Sequence, residues 1–175
     1  MKKLRGIEFL PKEATYDEMN SPVGRLTIVT TSKGLHAVLW ENDRKNSNCE
    51  RIINNLHQFE SEPTIVQTKR QLSEYFEGKR KIFDLPLIIS GTDFQIQAWK
   101  QLLKIPYATT ITYAEQAEKI GDKNKARAVG TANGLNPISI IIPCHRVIGS
   151  KGHLVGFGGG LEKKAFLLNL EKRPR

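Results

Sequence analysis

The segment Ile138-Ser139-Ile140-Ile141-Ile142-Pro143-Cys144-His145-Arg146-Val147 sets a thiol next to an imidazole at the end of a β-branched run. A cysteine is a weak nucleophile until it ionises, and a pKa of about 8.5 leaves only a few per cent thiolate at neutral pH. His145 is the adjacent base. It can take the thiol proton directly or through a bridging water, since neighbours on an extended chain point to opposite faces. The alternative is that Cys144 is an inert core cysteine and His145 a satisfied surface histidine.

The elements that present the pair bear on that choice. The isoleucine-rich run, closed by a proline that cannot donate to a ladder, predicts a buried strand ending at Pro143, with Cys144 where a rigid element meets a loop. Upstream, Thr112 with Glu115 forms a capping box, opening a helix that runs to Ile120 and stops at Gly121. Asp122 to Asn124 forms a turn, and Lys125 to Asn133 a second helix, which is helix-turn-helix spacing. The second helix has a small apolar face of Ala126, Val129 and Gly130, and Lys125 and Arg127 point outward near its start. An αα-hairpin with solvated charges would share this spacing; its position before a reactive cysteine favours DNA binding.

The chain has 175 residues, enough for one core or two small ones. Arg25 to Thr31 and Leu35 to Trp40, separated by Ser32-Lys33-Gly34, predict a hairpin. Helical spacing follows at Cys49-Ile52-Ile53-Leu56, which makes Cys49 a core residue, and at Ile65-Lys69-Leu72-Phe76, stopped by Gly78. Asn42 to Asn48 predicts a polar turn or mobile loop, and Phe83 to Ile89 an extended segment. Ser90-Gly91 ends that segment before a further capping box, Thr92 with Gln95, so the domain boundary is placed there, giving residues 1–90 and 91–175.

Charge separates the same two parts. Residues 1–90 hold 14 Lys/Arg against 12 Asp/Glu, and residues 91–175 hold 13 against 6, so most of the net +9 lies with the Cys-His pair. That distribution points to a polyanion at the reactive site. No apolar run approaches membrane-spanning length, and Met1-Lys2-Lys3-Leu4-Arg5 is followed by no apolar segment, so no membrane and a cytoplasmic location are expected. Two cysteines are too few for a disulfide framework. Cys49, His36 and His57 show no metal-ligand spacing, and no structural zinc is expected.

Pro-Cys-His-Arg-Val at 143–147, with Asn136-Pro137 before it and Gly156-Phe157-Gly158-Gly159-Gly160-Leu161 after it, resembles the active-site signature of the O6-alkylguanine-DNA alkyltransferases. The resemblance runs from Thr92 to Glu171 through Phe94-Gln95, Ile105-Pro106-Tyr107, Thr112-Tyr113, Arg127-Ala128-Val129-Gly130 and Asn133-Gly134. It is weaker before residue 64, at Ser21-Pro22-Val23-Gly24 and Gly34-Leu35. It implies an α/β fold, with a small ribonuclease H-like amino-terminal domain and a mostly helical carboxy-terminal domain carrying a winged-helix-like helix-turn-helix. The activity implied is DNA repair by stoichiometric transfer of the alkyl group from O6-alkylguanine, and by extension O4-alkylthymine, to Cys144 of a monomer that needs no cofactor.

The same resemblance assigns roles. Glu171 would orient His145 in a Glu171-His145-water-Cys144 relay. Tyr113 would meet N3 of the extruded guanine and the rotated phosphate. Arg127 would be the finger entering the stack from the minor groove of double-stranded DNA, with Lys125 beside it. Asn136 would tie the cysteine segment to the helix-turn-helix and is grouped with the DNA-binding residues, while Arg146 would be structural. Backbone N–H near Gly158 would reach O6, and the carbonyls of Cys144 and Val147 the exocyclic amine. Where relatives often carry Tyr and then Ala or Ser in the pocket wall, this chain has Phe157 and Gly158, which predicts a wider pocket tolerant of alkyl groups larger than methyl. Two other classes stay in view, and a transcriptional regulator is disfavoured because no heptad or obvious dimer helix appears. A non-catalytic alkylated-base recognition protein would resemble relatives with tryptophan at the cysteine position; a Cys-His hydrolase would turn over esters; a transcriptional regulator would dimerise.

Overall fold

The computed structural model describes residues 7–173, so the reading of Met1 to Arg5 lies outside the described residues. The chain divides into two compact units. One holds the described residues up to Ser90 together with Pro137–Ser139; the other holds Gly91–Asn136 and the described residues from Ile140 onward.

In the first unit β1 (Thr15–Met19), β2 (Leu26–Thr31) and β3 (Gly34–Trp40) form an antiparallel meander. All six residues of β2 are buried, so both faces of the sheet need cover. A one-turn helix α1 (Glu41–Arg44) leads to α2 (Ser47–Asn54), whose Cys49 and Ile53 join Val29, Ala37 and Leu39 in one core. The polar stretch from Asn42 to Asn48 is thus largely helical rather than a loop, with the Asn46 side chain capping α2. A short β4 (His57–Gln58) adds parallel to β1, giving the order β3-β2-β1-β4. The helix α3 (Pro63–Phe76) then packs on β1, β2 and β3, burying Ile65, Leu72 and Tyr75. Its first turn is held by Glu62, which accepts from Ile65 N–H and from Thr30 Oγ1, both at 2.8 Å.

The extended segment after α3 makes a single bridge, Leu87 beside Leu35, with Leu35 N–H donating to the Pro86 carbonyl. Gly34 allows that approach, because its φ is +148° and a Cβ there would collide with the Pro86 oxygen. Pro137–Ser139 belong to this unit through Val38, which donates to Pro137 O and accepts from Ser139 N.

The second unit opens with α4 (Asp93–Leu102), closed at its start by the Thr92/Gln95 capping box. The strand β5 (Ile111–Thr112) runs straight into α5 (Tyr113–Lys119), where the Thr112/Glu115 box is also formed. A 3-10 turn, Lys123–Lys125, precedes α6 (Ala126–Gly134), so Lys125 stands just before the second helix rather than inside it. Buried amides lock the three helices together. Gln116 and Asn133 exchange hydrogen bonds at 2.7 and 3.2 Å, Gln116 also donates to Ala98 O, and Trp99 Nε1 donates to Ala132 O at 2.9 Å. The strand β6 (Val147–Ile148) pairs parallel with β5, and α7 (Leu161–Lys172) completes the unit.

The expected buried strand up to Pro143 is corrected by the structure. Ile138 makes one bridge with Val38, after which the chain turns through Ser139–Ile142. Ile140 adopts φ +72°, a sterically costly conformation for a β-branched residue and incompatible with a strand. The isoleucines are buried as expected, but they fill a core from a turn. Among the described residues no helix is long and apolar enough to cross a membrane, and no three His, Cys, Asp or Glu side chains are grouped to hold a metal ion.

Candidate active site

Cys144 opens a 3-10 turn, Cys144–Arg146, that feeds directly into β6. Parallel pairing of Ile111 with Val147 and Thr112 with Ile148 sets this turn beside the start of α5, whose first residue is Tyr113. Cys144 and Cys49 are both buried and are not joined in a disulfide. Asn136 Nδ2 donates to Cys144 Sγ at 3.3 Å and to Ile142 O at 2.7 Å. Asn136 is completely buried, so its grouping with DNA-contacting residues is corrected: it braces the thiol turn from inside.

His145 is fully buried, and its Nε2 lies 2.8 Å from Glu171 Oε1. Glu171, near the end of α7, is surrounded by donors. Arg146 bonds it through Nε and Nη2 at 3.0 Å each, and Ala108 N–H reaches Oε2 at 2.9 Å. Burial would raise its pKa, but the hydrogen bonds and charges of His145 and Arg146 outweigh that and hold it down to about 2. A permanent carboxylate only accepts, so His145 Nε2 carries the proton of the neutral ring and Nδ1 is the basic nitrogen. Nδ1 is buried and has no hydrogen-bond partner among the described residues. Burial lowers the His145 pKa, with Arg146 and Lys164 acting the same way and Glu171 opposing them.

Lys164, two turns before Glu171 on α7, has no counterpart in the sequence reading. It is completely buried; its Nζ donates to Val155 O at 2.9 Å and stands 3.4 Å from the Tyr113 hydroxyl. The ammonium also lies 5.6 Å from the Tyr113 ring centre and 5.9 Å from that of Phe157. Burial takes its pKa down to about 8, against an opposing pull from Cys144. Burial, and secondarily the charge of Cys144, raises Tyr113 to about 12, so its phenol stays protonated. That hydroxyl donates to the carbonyls of Val155 and Gly156 at 3.0 and 3.2 Å. A lysine in an amphipathic pattern reads as surface, and only the fold reveals this one as interior.

The remaining residues fall on the rim and the surface. Val147 is buried, Phe157 half-buried and Gly158 exposed. Arg127, on the first turn of α6, and Lys125 just before it are exposed. Gly130, one turn on, lies against the Tyr113 ring, where a methyl group would make ordinary contact at 3.6 Å.

Residues 93–173 match the DNA binding domain of 6-O-methylguanine DNA methyltransferase, and residues 13–89 match its ribonuclease-like domain. The methylated-DNA–protein-cysteine methyltransferase of Methanosarcina barkeri is 46% identical over 157 residues, covering 90% of this chain and 96% of that protein. The chain belongs to the 6-O-methylguanine DNA methyltransferase family. The Mycobacterium tuberculosis relative of the same name is 57% identical over 102 residues, 58% of this chain and 62% of the relative. In solved structures, the M. tuberculosis O6-methylguanine methyltransferase superposes with TM-score 0.79 at 40% identity, over 92% of this chain and 95% of that one. The M. tuberculosis protein in complex with DNA gives TM-score 0.79 at 41% identity, over 90% and 92%. Within this family fold Cys144, His145, Glu171, Tyr113, Val147 and Asn136 converge in the second unit, and Arg127 and Lys125 lie on its surface.

Proposed function

We propose that this protein repairs DNA by moving the alkyl group of O6-alkylguanine onto Cys144, once per molecule. The observation that carries the reading is a thiol braced by Asn136, next to an imidazole held by a permanent carboxylate, in the same unit as a protonated Tyr113. The guanine leaves its stack to reach the thiol, and Arg127 on the first turn of α6 fills the gap from the minor groove, with Lys125 on the phosphates. Cys144 gives its proton to His145 Nδ1, through a water where direct contact is not made, and Sγ attacks the O-alkyl carbon. The S–C bond forms as the C–O6 bond breaks, and its electron pair leaves with guanine. Tyr113 protonates N3 of the departing base and recovers a proton from Lys164. Solvent then takes the proton from His145 and returns one to Lys164, so that overall one proton passes from thiol to guanine, and the thioether ends the cycle.

Backbone N–H near Gly158 meets O6, and the exposed, side-chain-free position leaves room there for groups larger than methyl. A reducing cytoplasm would suit a reaction that needs Cys144 as a thiol. The test is intact mass after mixing with an equimolar duplex carrying one O6-methylguanine, with Cys144→Ser alongside. A gain of one methylene mapped to Cys144 and ending at one equivalent is expected. Tight binding without a gain would refute transfer and leave lesion recognition.

A further inference from the structure

Arg146 holds a position that the relay does not use. The Glu171 carboxylate has one charge, and Arg146 supplies two of the four hydrogen bonds it makes at 3.0 Å or less. Oε1 accepts from His145 Nε2 at 2.8 Å and from Arg146 Nη2 at 3.0 Å; Oε2 accepts from Arg146 Nε at 3.0 Å and from Ala108 N–H at 2.9 Å. The remaining arm, Nη1, donates to Ile105 O at 2.7 Å, and the guanidinium carbon stands 5.7 Å from the Tyr107 ring centre. Arg146 is 7% exposed, Glu171 3% and His145 0%, so solvent does little to screen these charges. In a Ser-His-Asp triad the acid supports the imidazolium that forms during reaction. Here a bidentate guanidinium already neutralises the acid.

We propose that Arg146 is a positioning residue that sets the basicity of His145: its fork fixes Glu171 so that the ring rests as the Nε2–H tautomer, and its charge cancels the field that would otherwise stabilise an imidazolium. The charged and titratable groups acting on the ring are Glu171 and Lys164 from α7, Arg146 beside it, and the neighbouring thiol of Cys144. Glu171 favours the imidazolium, while Arg146 and Lys164 disfavour it, as does burial. The imidazole therefore rests neutral, with Nδ1 open to take the thiol proton.

The inference rests on the alkyl-transfer reading only in taking His145 as the base, so its test is read without DNA. The His145 ring nitrogens of 15N-histidine-labelled protein are titrated by NMR in wild type, Arg146→Met and Arg146→Lys. Wild type is expected to show a neutral ring with protonated Nε2 and bare Nδ1 at pH 7. Arg146→Met is expected to raise the titration midpoint by about one pH unit or more, the usual effect of an uncompensated neighbouring carboxylate. Arg146→Lys, which keeps the charge and loses the fork, is expected to titrate near wild type.

An imidazolium in wild type at pH 7 would overturn the proposal, as would a folded Arg146→Met variant with an unmoved midpoint. Should the methionine variant not fold, wild type and Arg146→Lys decide: a lysine variant that titrates well above wild type despite its retained charge also refutes it. Failure of alkyl transfer would show in the DNA mass assay and leave these titrations unchanged.

Discussion

Replacing Lys164 with methionine is expected to make the protein more stable and less reactive at once. The wild-type ammonium is completely buried, and its hydrogen-bond partners, the Val155 carbonyl and the Tyr113 hydroxyl, are neutral oxygens. Burial lowers its pKa from 10.5 to about 8. At ~1.4 kcal/mol per pH unit, keeping it charged costs the native state about 2–3.5 kcal/mol at pH 7, the lower figure allowing for solvent near half-exposed Tyr113. Because the folded value is the lower one, the unfolded chain binds more protons between about pH 8 and 10.5. Wild-type stability therefore rises relative to the variant across that window, and the full cost is present below it.

Methionine keeps an unbranched stem against the Tyr113 and Phe157 rings. It removes the proton source beside the phenol, which is expected to slow alkyl transfer about 10- to 100-fold. Urea unfolding of both proteins at pH 7, 8.5 and 10, with single-turnover transfer from an O6-methylguanine duplex, makes the comparison. A methionine variant that is less stable at pH 7, or a stability difference that stays flat from pH 7 to 10, would refute the reasoning.

Two further changes probe the braces. Asn136→Ala removes the donor to Cys144 Sγ and one of the two donors to Ile142 O, which keeps the Cys144 N–H at 2.8 Å; urea unfolding is expected to show a loss of about 1–2 kcal/mol, and iodoacetamide to react more slowly with Cys144 because the sulfur has lost a donor. Asp17→Asn breaks the ion pair with Lys69 in the first unit. Burial alone would raise the Asp17 pKa, but hydrogen bonds from Lys69 and Gln58 outweigh it and lower it from 3.8. The pair's stabilisation is thus present above pH 3.8 and lost as pH falls through the lower folded value. Wild type should exceed the variant by about 1–3 kcal/mol at neutral pH, less than a fully buried pair because Lys69 is partly exposed, and the two unfolding curves should converge in acid.

Local chemistry was the most legible part of this chain. The capping boxes at Thr92 and Thr112 name their own partners three residues on, and both formed. The hairpin of β2 and β3 follows from a turn signal between alternating runs, and α2 and α3 from 3.6-residue spacing. β1 went unread because only Asp17 among its five residues is buried, which gives no apolar alternation to detect. β4, β5 and β6 are two residues each, too short for any period, and they exist through pairing with distant partners. The isoleucine run misled for a related reason. A continuous apolar stretch signals burial without saying whether a strand or a turn delivers it, and the positive φ at Ile140 has no signature in residue type.

At the site, the reactive group was legible, and the family resemblance pointed to Glu171 as the partner of His145, but the buried charges of Lys164 and Arg146 were not legible. The flanking motif rather than adjacency singled out Cys144 and His145, and the setting of the imidazole depends on residues far away in sequence. Glu171 lies 26 residues beyond His145, and Lys164 lies 51 beyond Tyr113. An uninterrupted α7 puts Lys164 and Glu171 seven residues apart, two turns along one face, so a single helix delivers an interior cation to the phenol and an interior anion to the imidazole. Each would be costly alone in a dry core. The carboxylate is matched by Arg146, held in the turn that also bears the thiol, whereas the ammonium is left with neutral oxygens and gives up part of its affinity for protons. The two ends of the helix are therefore not equivalent: the Glu171 end is a fixed charge that orients, and the Lys164 end is a labile charge that can pass a proton near neutral pH. Alkyl transfer needs one of each, a base held in a single tautomer on the thiol side and a replenishable acid on the guanine side.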